Sequence, residues 1–375
     1  MNNLDAVKSG RFLALDIFRG MTICFMIIVN TGGPNPFPEL RHAEWNGFTL
    51  TDLVFPSFLF AVGNAISFSK AKWDQQPDRK VVLKILKRTL LLFLIGYLMY
   101  WLPFVKVDVL NQVHSFPIGQ TRIFGVLQRI ALCYGIGALI IRFASVRTVI
   151  ITSICLLLGY WLIMMTFGDY TVNGAAETKL DILLLTREHL YIKDAQNAFD
   201  PEGILSTLPA IVNVLIGYLA GVHIRKNSKS FEMLARLAIT GFLLLALGYL
   251  WNLSFPINKK LWTSSFVCLT TGLDCLIIST ILYYVDFKGI KTGVVFFEVF
   301  GKNALFIYLF SEVVPILLYS YHMPDKRPLF KALYDVTWGQ LGTGHIPSLL
   351  WSVSFMLCCW LAGYFLYRKK LFIRL

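Results

Sequence analysis

The sequence predicts an all-α, polytopic integral membrane protein, on the strength of its composition and the spacing of its apolar residues. Of the 375 residues, 56% are hydrophobic and only 15% are charged, and the mean hydropathy is +0.62. A soluble domain carries about 25% charged residues. The apolar residues recur in blocks of roughly twenty, the length that a helix needs to cross the hydrocarbon core. We therefore expect about ten transmembrane helices within a single transmembrane domain, residues 1–375.

The predicted spans follow one another with only short connectors between them. We interpret the first span as a retained helix, because Asp16 and Arg19 interrupt it and no small-residue cleavage site follows. All seven cysteines fall inside predicted spans, so neither a disulfide framework nor a metal-binding spacing is expected. The spans cover approximately residues 12–30, 50–69, 82–102, 121–142, 147–167, 204–224, 232–252, 262–284, 294–320 and 346–367.

Lysine and arginine are distributed unequally between the two sets of connectors. If the N-terminus is cytoplasmic, the cytoplasmic connectors hold about twice as many cations as the opposite ones, as short cytoplasmic loops do. We therefore expect both termini in the cytoplasm. The formal net charge of +13 then follows from topology and contact with anionic lipids, and it does not indicate nucleic-acid binding.

The connector between the first two spans gathers an imidazole, a carboxylate, a guanidinium, an amide and an indole over residues 41–47. Imidazole titrates near neutrality, so it can take a proton from an attacking amine or hydroxyl, or accept an acyl group itself. His42 is the candidate catalytic residue, and a solvated loop histidine is the alternative. Asn30 and Asn46 could orient a substrate, donate to an oxyanion or cap a helix. Asp52 could cap the second span or hold His42 in one tautomer.

Ionisable residues inside the predicted spans indicate a polar interior or a water-filled route, because each is costly in lipid. Those near span ends could instead extend to the interface. A phosphate-bearing ligand entering from the cytoplasm would meet Arg11, Arg19 and Lys302, although topology alone explains most such cations. The residues 301–303 lack the glycine spacing of a P-loop. The ionisable residues are Asp16, Arg19, Arg122, Arg129, Asp274, Glu298, Lys302 and Glu312.

Short motifs along almost the whole chain, taken in order, resemble those of the heparan-α-glucosaminide N-acetyltransferase family. They are Leu15-Asp16-Ile17-Phe18-Arg19-Gly20, Val29-Asn30-Thr31-Gly32-Gly33, His42-Ala43-Glu44-Trp45-Asn46-Gly47, Asp52-Leu53-Val54-Phe55-Pro56, Gly125-Val126-Leu127-Gln128-Arg129-Ile130, Phe199-Asp200-Pro201-Glu202-Gly203-Ile204-Leu205, Pro256-Ile257-Asn258-Lys259-Lys260-Leu261-Trp262 and Gly301-Lys302-Asn303. The order of so many motifs makes the resemblance more specific than any single one of them.

The resemblance implies a membrane-embedded acetyltransferase that uses cytoplasmic acetyl-CoA and modifies a terminal glucosamine on the far, periplasmic side. The family's catalytic histidine corresponds to His42, and Asn30 matches an active-site asparagine. Whether that histidine carries the acetyl group or acts only as a base stays open, and we expect direct transfer. The chain lacks the N-terminal lumenal extension of the animal enzyme, so a bacterial, multi-pass inner-membrane member is expected. Glu44 replaces a small polar residue, which leaves acceptor choice open.

Residues and resemblance together predict three sets of site residues. The catalytic set is His42, Asn30, Asp52 and Asn46. The acetyl-CoA set is Arg11, Asp16, Arg19, Arg129, Lys302 and Asn303. The acceptor set is Glu44, Trp45 and Asn258.

The expected partners are acetyl-CoA, an amino-sugar or glycosaminoglycan-type acceptor and membrane lipids, with no metal and no nucleic acid; a homodimer fits the family. Two other functions stay open. One is O-acetylation of a cell-surface polysaccharide, in which a weaker hydroxyl nucleophile would depend more on His42. The other is transport of a sugar or precursor, because many helices with intramembrane charges are typical of secondary transporters. The absence of an apparent inverted repeat counts against transport.

Overall fold

The computed structural model describes residues 13–193, 196–227 and 229–373, and these residues are mostly helical. They form thirteen α-helices, some of them short and lying outside the main bundle. The helices are α1 (Leu13–Asn30), α2 (Leu50–Trp73), α3 (Asp78–Trp101), α4 (Val126–Phe143), α5 (Val146–Phe167), α6 (Ala176–Leu185), α7 (Thr207–Lys226), α8 (Phe231–Trp251), α9 (Ser264–Leu282), α10 (Val294–Lys302), α11 (Ala304–Ser320), α12 (Leu329–Val336) and α13 (His345–Arg368).

Eight of the described helices are long and apolar enough to cross a membrane. They are α1, α2, α4, α5, α7, α8, α9 with its π-helical extension Tyr283–Phe287, and α13. The prediction of an all-α polytopic membrane protein is confirmed. The Ser352 hydroxyl, near the start of α13, donates to the Thr31 carbonyl at the end of α1, so the start of α1 and the end of α13 lie at the same end of the bundle.

Two predicted spans differ from the structure. The span predicted at 82–102 forms the continuous helix α3, but it is not among the eight, because Lys84, Lys87 and Arg88 occupy its first half. The span predicted at 294–320 is two helices, α10 and α11, which meet at 80°. Asn303 separates them with a non-helical backbone conformation, and its side-chain oxygen accepts a hydrogen bond from the Ile373 N–H at 3.1 Å.

The centre of the bundle is built where helix backbones approach each other closely. A β-carbon placed on Gly63 of α2 would lie 1.9 Å from the carbonyl oxygen of Val214 in α7, and one on Gly217 would lie 2.1 Å from that of Phe60. Only glycine fits at such crossings, and small residues at interfaces are how helices pack tightly in membranes. Helices α2, α7 and α9 are therefore mostly buried, whereas α5, α8 and α13 expose most of their surface to the lipid side.

The connectors at one end of the bundle contain the remaining structure. A hairpin of β1 (Val105–Val107) and β2 (Val113–Ser115), helix α6 and a short pair of strands, β3 (Ile192–Lys193) with β4 (Ala198–Phe199), lie at this end. The connector that carries His42 lies there too, and Gly47 donates its backbone N–H to the Ile257 carbonyl at 2.8 Å. We call this the His42 end, and the end with the start of α1 the opposite end.

Candidate active site

His42 and Asp52 form a close pair at the start of α2. Thr49 caps the helix, and Asp52, three residues later, completes a capping box by accepting the Thr49 N–H at 3.0 Å. The same carboxylate accepts the Ala43 N–H at 3.2 Å, and its other oxygen lies 2.7 Å from His42 Nδ1. Capping and orienting the imidazole were alternatives from the sequence, whereas in the structure Asp52 makes both sets of contacts.

These contacts determine the tautomer of His42. An ionised carboxylate only accepts hydrogen bonds, and Asp52 is already accepting backbone N–H groups, so Nδ1 of His42 carries the proton. The lone pair is then on Nε2. Asp52 is 1% exposed while His42 is 44% exposed, so a buried carboxylate holds an imidazole that is partly exposed at the His42 end. A lone pair in that position can act as a base or as a nucleophile.

Lys259 is a neighbour of His42 that the sequence analysis did not assign to the site. Its Nζ lies 3.4 Å from His42 Nε2, on the side of the imidazole away from Asp52. Burial lowers the pKa of Lys259, and the negative charges of Glu202 and Asp52 oppose that shift. The motif that contains Lys259 was recognised, but a lysine distant in sequence gave no sign that it would reach the imidazole.

The connector carrying Lys259 is fixed to the His42 connector by Asn258. The Asn258 side chain is fully buried, donates to Asn46 Oδ1 at 3.1 Å and accepts the Leu261 N–H at 2.9 Å. Lys260 adds a bond of 2.5 Å to the carbonyl oxygen of Glu44. Asn258, predicted to bind the acceptor, therefore faces protein and joins the two connectors, whereas Asn46 remains exposed.

Trp45 and Glu44 lie beside this junction. The Trp45 indole N–H donates to the Tyr170 carbonyl at 2.7 Å, and its ring contacts Phe199 with the ring centroids 5.4 Å apart. Trp45 is half-buried and forms a wall of the site, while Glu44 is exposed with its carboxylate at the surface. These two members of the predicted acceptor set thus lie close to His42 in the chain and at its end of the bundle.

Asn30 ends α1 and contacts α11 instead of the imidazole. Its Nδ2 donates to Glu312 Oε1 at 3.1 Å. One of its two N–H groups is therefore engaged by a carboxylate. No hydrogen bond links Asn30 to His42, Asp52 or Asn46 in the described part of the chain.

Beneath the connectors lies a buried cluster of charges centred on Arg122. Its guanidinium bonds both oxygens of Asp200, at 2.8 and 2.5 Å, and Glu202 at 2.5 Å. Burial raises the pKa of Asp200 even though Arg122 opposes the shift. Burial also acts to raise the pKa of Glu202, but the charges of Arg122, Lys259 and Arg129 outweigh it and lower that pKa. The pairing explains why the motif around Asp200 needs two acids.

Arg129 belongs to this end of the protein, although it was predicted to bind acetyl-CoA. It is fully buried, donates to the Gly203 carbonyl at 3.0 Å and to the Ser206 hydroxyl, and lies 5.0 Å from the centre of the Trp262 ring. Its position holds the segment after Glu202 against the start of α4. Among the described residues, no cluster of His, Cys, Asp and Glu could hold a metal ion.

A cavity of about 640 Å³ extends from the opposite end of the bundle towards the His42 end. It follows α2 from Trp73 towards the centre and ends at Phe55, three residues after Asp52. Three residues of the predicted acetyl-CoA set line it: Asp16, Arg19 and Lys302. Arg129 and Asn303 do not, and Arg11 lies outside the described residues.

The cations that line this cavity differ in their pairing. Arg19 bonds Asp16 at 3.1 Å, and Lys302 bonds Glu298 at 2.5 Å. Lys72 and Arg88 line the same cavity, and neither forms an ion pair with an acid in the part of the chain that the structure describes. Arg88 lies 4.6 Å from the centre of the Tyr134 ring. Nothing in the spacing of Lys72 and Arg88 along the sequence indicates that they face a cavity.

The fold and the site define a polytopic membrane protein with an oriented histidine at one end and a cation-lined cavity entering from the other. A family model described as "Heparan-alpha-glucosaminide N-acetyltransferase, catalytic" matches residues 11–255. The human heparan-alpha-glucosaminide N-acetyltransferase is 30% identical, over 96% of this chain and 59% of its own length, and the mouse protein is 29% identical, over 97% and 60%. The chain belongs to the heparan-alpha-glucosaminide N-acetyltransferase family, as the motifs predicted. It spans about three fifths of the length of these relatives.

Proposed function

We propose that this protein is a transmembrane acetyltransferase that transfers an acetyl group from cytoplasmic acetyl-CoA to the amine of a glucosamine-type sugar at the His42 end. The observation that carries the proposal is the exposed imidazole of His42, whose Nδ1 lies 2.7 Å from an oxygen of buried Asp52. Family membership supports the class of reaction. The excess of cations at the opposite end supports placing that end in the cytoplasm and the His42 end in the periplasm.

The cavity provides the route for the donor. The phosphates of acetyl-CoA prevent it from crossing lipid, and Lys72 and Arg88 offer positive charge that no acid of the described chain neutralises. From Trp73 to Phe55, α2 rises about 27 Å, so a slender pantetheine arm lying along it would carry the thioester deep into the bundle. Phe55 is only one helical turn from Asp52, so the cavity ends close to the catalytic pair.

His42 supplies the proton transfers. Its Nε2 accepts a proton from the sugar amine as the amine nitrogen attacks the thioester carbonyl carbon. The tetrahedral intermediate then expels the thiolate of CoA, which takes the proton back from the imidazolium, while Asp52 stabilises the positive charge. If Nε2 attacks the carbonyl itself, an acetyl-imidazole forms first and the amine attacks that. Both routes require the lone pair on Nε2, and direct transfer needs one step fewer.

The residues around His42 would receive the acceptor. Glu44 places an exposed carboxylate where it can attract a protonated sugar amine, and Trp45 offers an aromatic wall against which a sugar ring can pack. Asn46 is exposed beside them, and Asn258 fixes its orientation. The human and mouse relatives are heparan-alpha-glucosaminide N-acetyltransferases, which supports a glucosamine-type acceptor.

The experiment is acetyl transfer from labelled acetyl-CoA to glucosamine by purified protein in detergent, with His42→Ala alongside. We expect transfer by the parent and a loss of at least about 10³-fold in His42→Ala. His114→Ala is the matched control, because His114 also pairs with an aspartate, Asp108 at 3.0 Å, in the β1–β2 hairpin. It should retain parental activity. Full activity in a folded His42→Ala protein would refute the mechanism, and a parent that binds no acetyl-CoA would favour the transporter.

A further inference from the structure

Lys259 borders the space in which the proposed reaction occurs, and the mechanism above gives it no task. A group that exchanges a proton with His42 Nε2, or that Nε2 attacks, must come within about 3 Å of that nitrogen. The Nζ of Lys259 is 3.4 Å from the same atom. An ammonium so close to Nε2 therefore contacts whatever reacts there.

We infer that Lys259 is a further catalytic residue, whose ammonium donates a hydrogen bond to the acetyl carbonyl oxygen as that oxygen gains negative charge. The inference rests on the proposed acetyl transfer. In the absence of substrate the ammonium contacts Nε2, and on binding it turns to the carbonyl oxygen and releases the lone pair. As the amine nitrogen forms the new C–N bond, the π electron pair of the carbonyl moves to its oxygen. When that pair returns to re-form the carbonyl, the C–S bond breaks and the thiolate of CoA leaves.

Lys259 fits this task better than the two asparagines that the sequence offered. Asn30 has an N–H engaged by Glu312, at 3.1 Å, and lies outside the hydrogen-bond network of His42. Asn46 is held through its oxygen by Asn258, and its amide is neutral. A charged donor stabilises an anion more strongly than a neutral one, and roughly doubles the strength of the hydrogen bond.

The residues on either side of Lys259 are fixed by hydrogen bonds, and two nearby acids favour its charged form. On one side Asn258 is fully buried and makes three bonds, to Asn46, Leu261 and Thr263, and on the other Lys260 bonds the Glu44 carbonyl. These contacts fix the backbone of Lys259, so only the end of its side chain turns to the carbonyl oxygen, and an oxyanion donor is more effective the less it must reorganise. Glu202 and Asp52 favour the ammonium form, against the burial of the side chain and the charges of Arg129 and Lys260.

The main test is Lys259→Met, which keeps an unbranched side chain, one atom shorter, and removes its charge. Loss of one oxyanion donor lowers kcat by about 10²–10³-fold, and we expect that loss with KM for acetyl-CoA and for glucosamine changed by less than about threefold. Lys106→Met, at an exposed lysine of the β1–β2 hairpin, makes the same change of charge at the same end and should leave both constants unchanged.

The second variant, Lys259→Arg, separates catalysis from support of the fold. Burial lowers the pKa of Lys259, so the parental kcat should fall as the pH rises through that pKa and the ammonium loses its proton. Arginine stays charged throughout. Lys259→Arg should therefore recover part of the lost kcat and lose this alkaline decline, which a merely structural residue would not produce.

The outcomes are distinguishable. Parental kcat in Lys259→Met, or a raised KM with kcat unchanged, would overturn the role of Lys259 while the transferase proposal stands. A folded Lys259→Arg protein that keeps the alkaline decline would also overturn it. No acetyl transfer by the parent would overturn the proposed function and this inference together.

Discussion

Two histidine–aspartate pairs lie at the same end of this protein, and only one of them has a buried aspartate. His42 and Asp52 are 2.7 Å apart, with the aspartate side chain 1% exposed. His114 and Asp108 are 3.0 Å apart in the β1–β2 hairpin, and that aspartate is 34% exposed. The residue types are the same, so the chemistry available to an isolated pair is the same. What differs is how firmly each carboxylate is held.

The difference comes from the backbone around each aspartate. Asp52 completes the capping box at the start of α2, so formation of the helix positions its carboxylate independently of His42. Asp108 accepts the backbone N–H groups of Leu110 and Gln112 in a surface turn, at 2.8 and 2.9 Å, and water competes for its remaining bonds. A functional pair is thus distinguished by a buried, helix-anchored carboxylate and not by the contact distance alone.

Replacement of each aspartate by asparagine should give the largest difference. Asparagine keeps an oxygen that can accept the Ala43 and Thr49 N–H groups, so the cap survives in Asp52→Asn. Its amide cannot stabilise an imidazolium and favours the wrong tautomer, so kcat for acetyl transfer should fall by about 10⁴-fold. Asp108→Asn should leave kcat within error of the parent. Equal kcat values in the two variants would show that burial of the carboxylate is irrelevant to function.

The sequence was sufficient to find His42 but not to complete its surroundings. The residue types in one short connector indicated that His42 is catalytic. The position of Asp52 at a helix start allowed two roles, capping the helix or orienting His42, and in the structure it makes the contacts of both. Lys259 is 217 residues from His42 along the chain. Its position follows from the docking of two connectors through Asn46 and Asn258, and local spacing carries no information about such a long-range contact.

Two arginine clusters extend the same comparison to stability. Arg122 joins Asp200 and Glu202 with its side chain 12% exposed, whereas Arg327 joins Asp325 and Asp335 at the surface. Removing one member of a buried cluster leaves uncompensated charge and costs about 3–5 kcal/mol.

Arg122→Met should therefore lower the free energy of unfolding in detergent by that amount, measured by denaturant titration. Arg327→Met, which breaks an exposed cluster, should be indistinguishable from the parent. A stable Arg122→Met protein would mean that water reaches the Asp200 and Glu202 carboxylates.

The positions of the membrane helices were predictable from hydropathy, whereas a break within a helix that depends on packing was not. Apolar blocks of the right length predicted most of the membrane helices. The break between α10 and α11 was missed, because residues 294–320 are uniformly apolar except for a few positions. Packing forces the break: a β-carbon at Gly301 would lie 2.4 Å from the Asp16 carbonyl oxygen, so α10 lies directly against α1 before the chain turns.

Asp181 and Asp169 allow a buried and an exposed acid to be compared through the pH dependence of the free energy of unfolding. Burial, together with the charge of Asp200, raises the pKa of Asp181 to about 7, although the Ile204 N–H and Arg129 oppose the shift. A raised folded-state pKa favours the folded protein at low pH, and that stability is lost as the pH rises through about 7.

Asp181→Asn should remove this part of the slope, so the variant becomes the more stable protein by about 4 kcal/mol above pH 8 and loses that advantage near pH 4. The measurement is thermal or denaturant unfolding between these pH values. Asp169→Asn alters an exposed carboxylate whose pKa a hydrogen bond from Thr171 lowers, and the slope between pH 4 and 7 should stay parental. An unchanged slope in Asp181→Asn would place the titration elsewhere.

The smallest effect should come from replacing cations that contact neither histidine–aspartate pair. Lys72 and Arg88 line the cavity without an acidic partner among the described residues, whereas Lys87 neighbours Arg88 in the chain and does not line it. If Lys72 and Arg88 bind donor phosphates, Lys72→Gln and Arg88→Gln should each raise KM for acetyl-CoA about tenfold, the loss of one charge-assisted bond, and leave kcat unchanged. Lys87→Gln should change neither.

A donor without phosphates tests the reason for that change. An acetyl thioester of N-acetylcysteamine keeps the reacting group and lacks the nucleotide, so its KM should be high in the parent and the same in Lys72→Gln and Arg88→Gln. Equal increases of KM for both donors would show that the substitutions distort the cavity instead of removing contacts to phosphate. The His42 end would then still fix the chemistry, but the cations of the opposite end would owe their presence to topology alone.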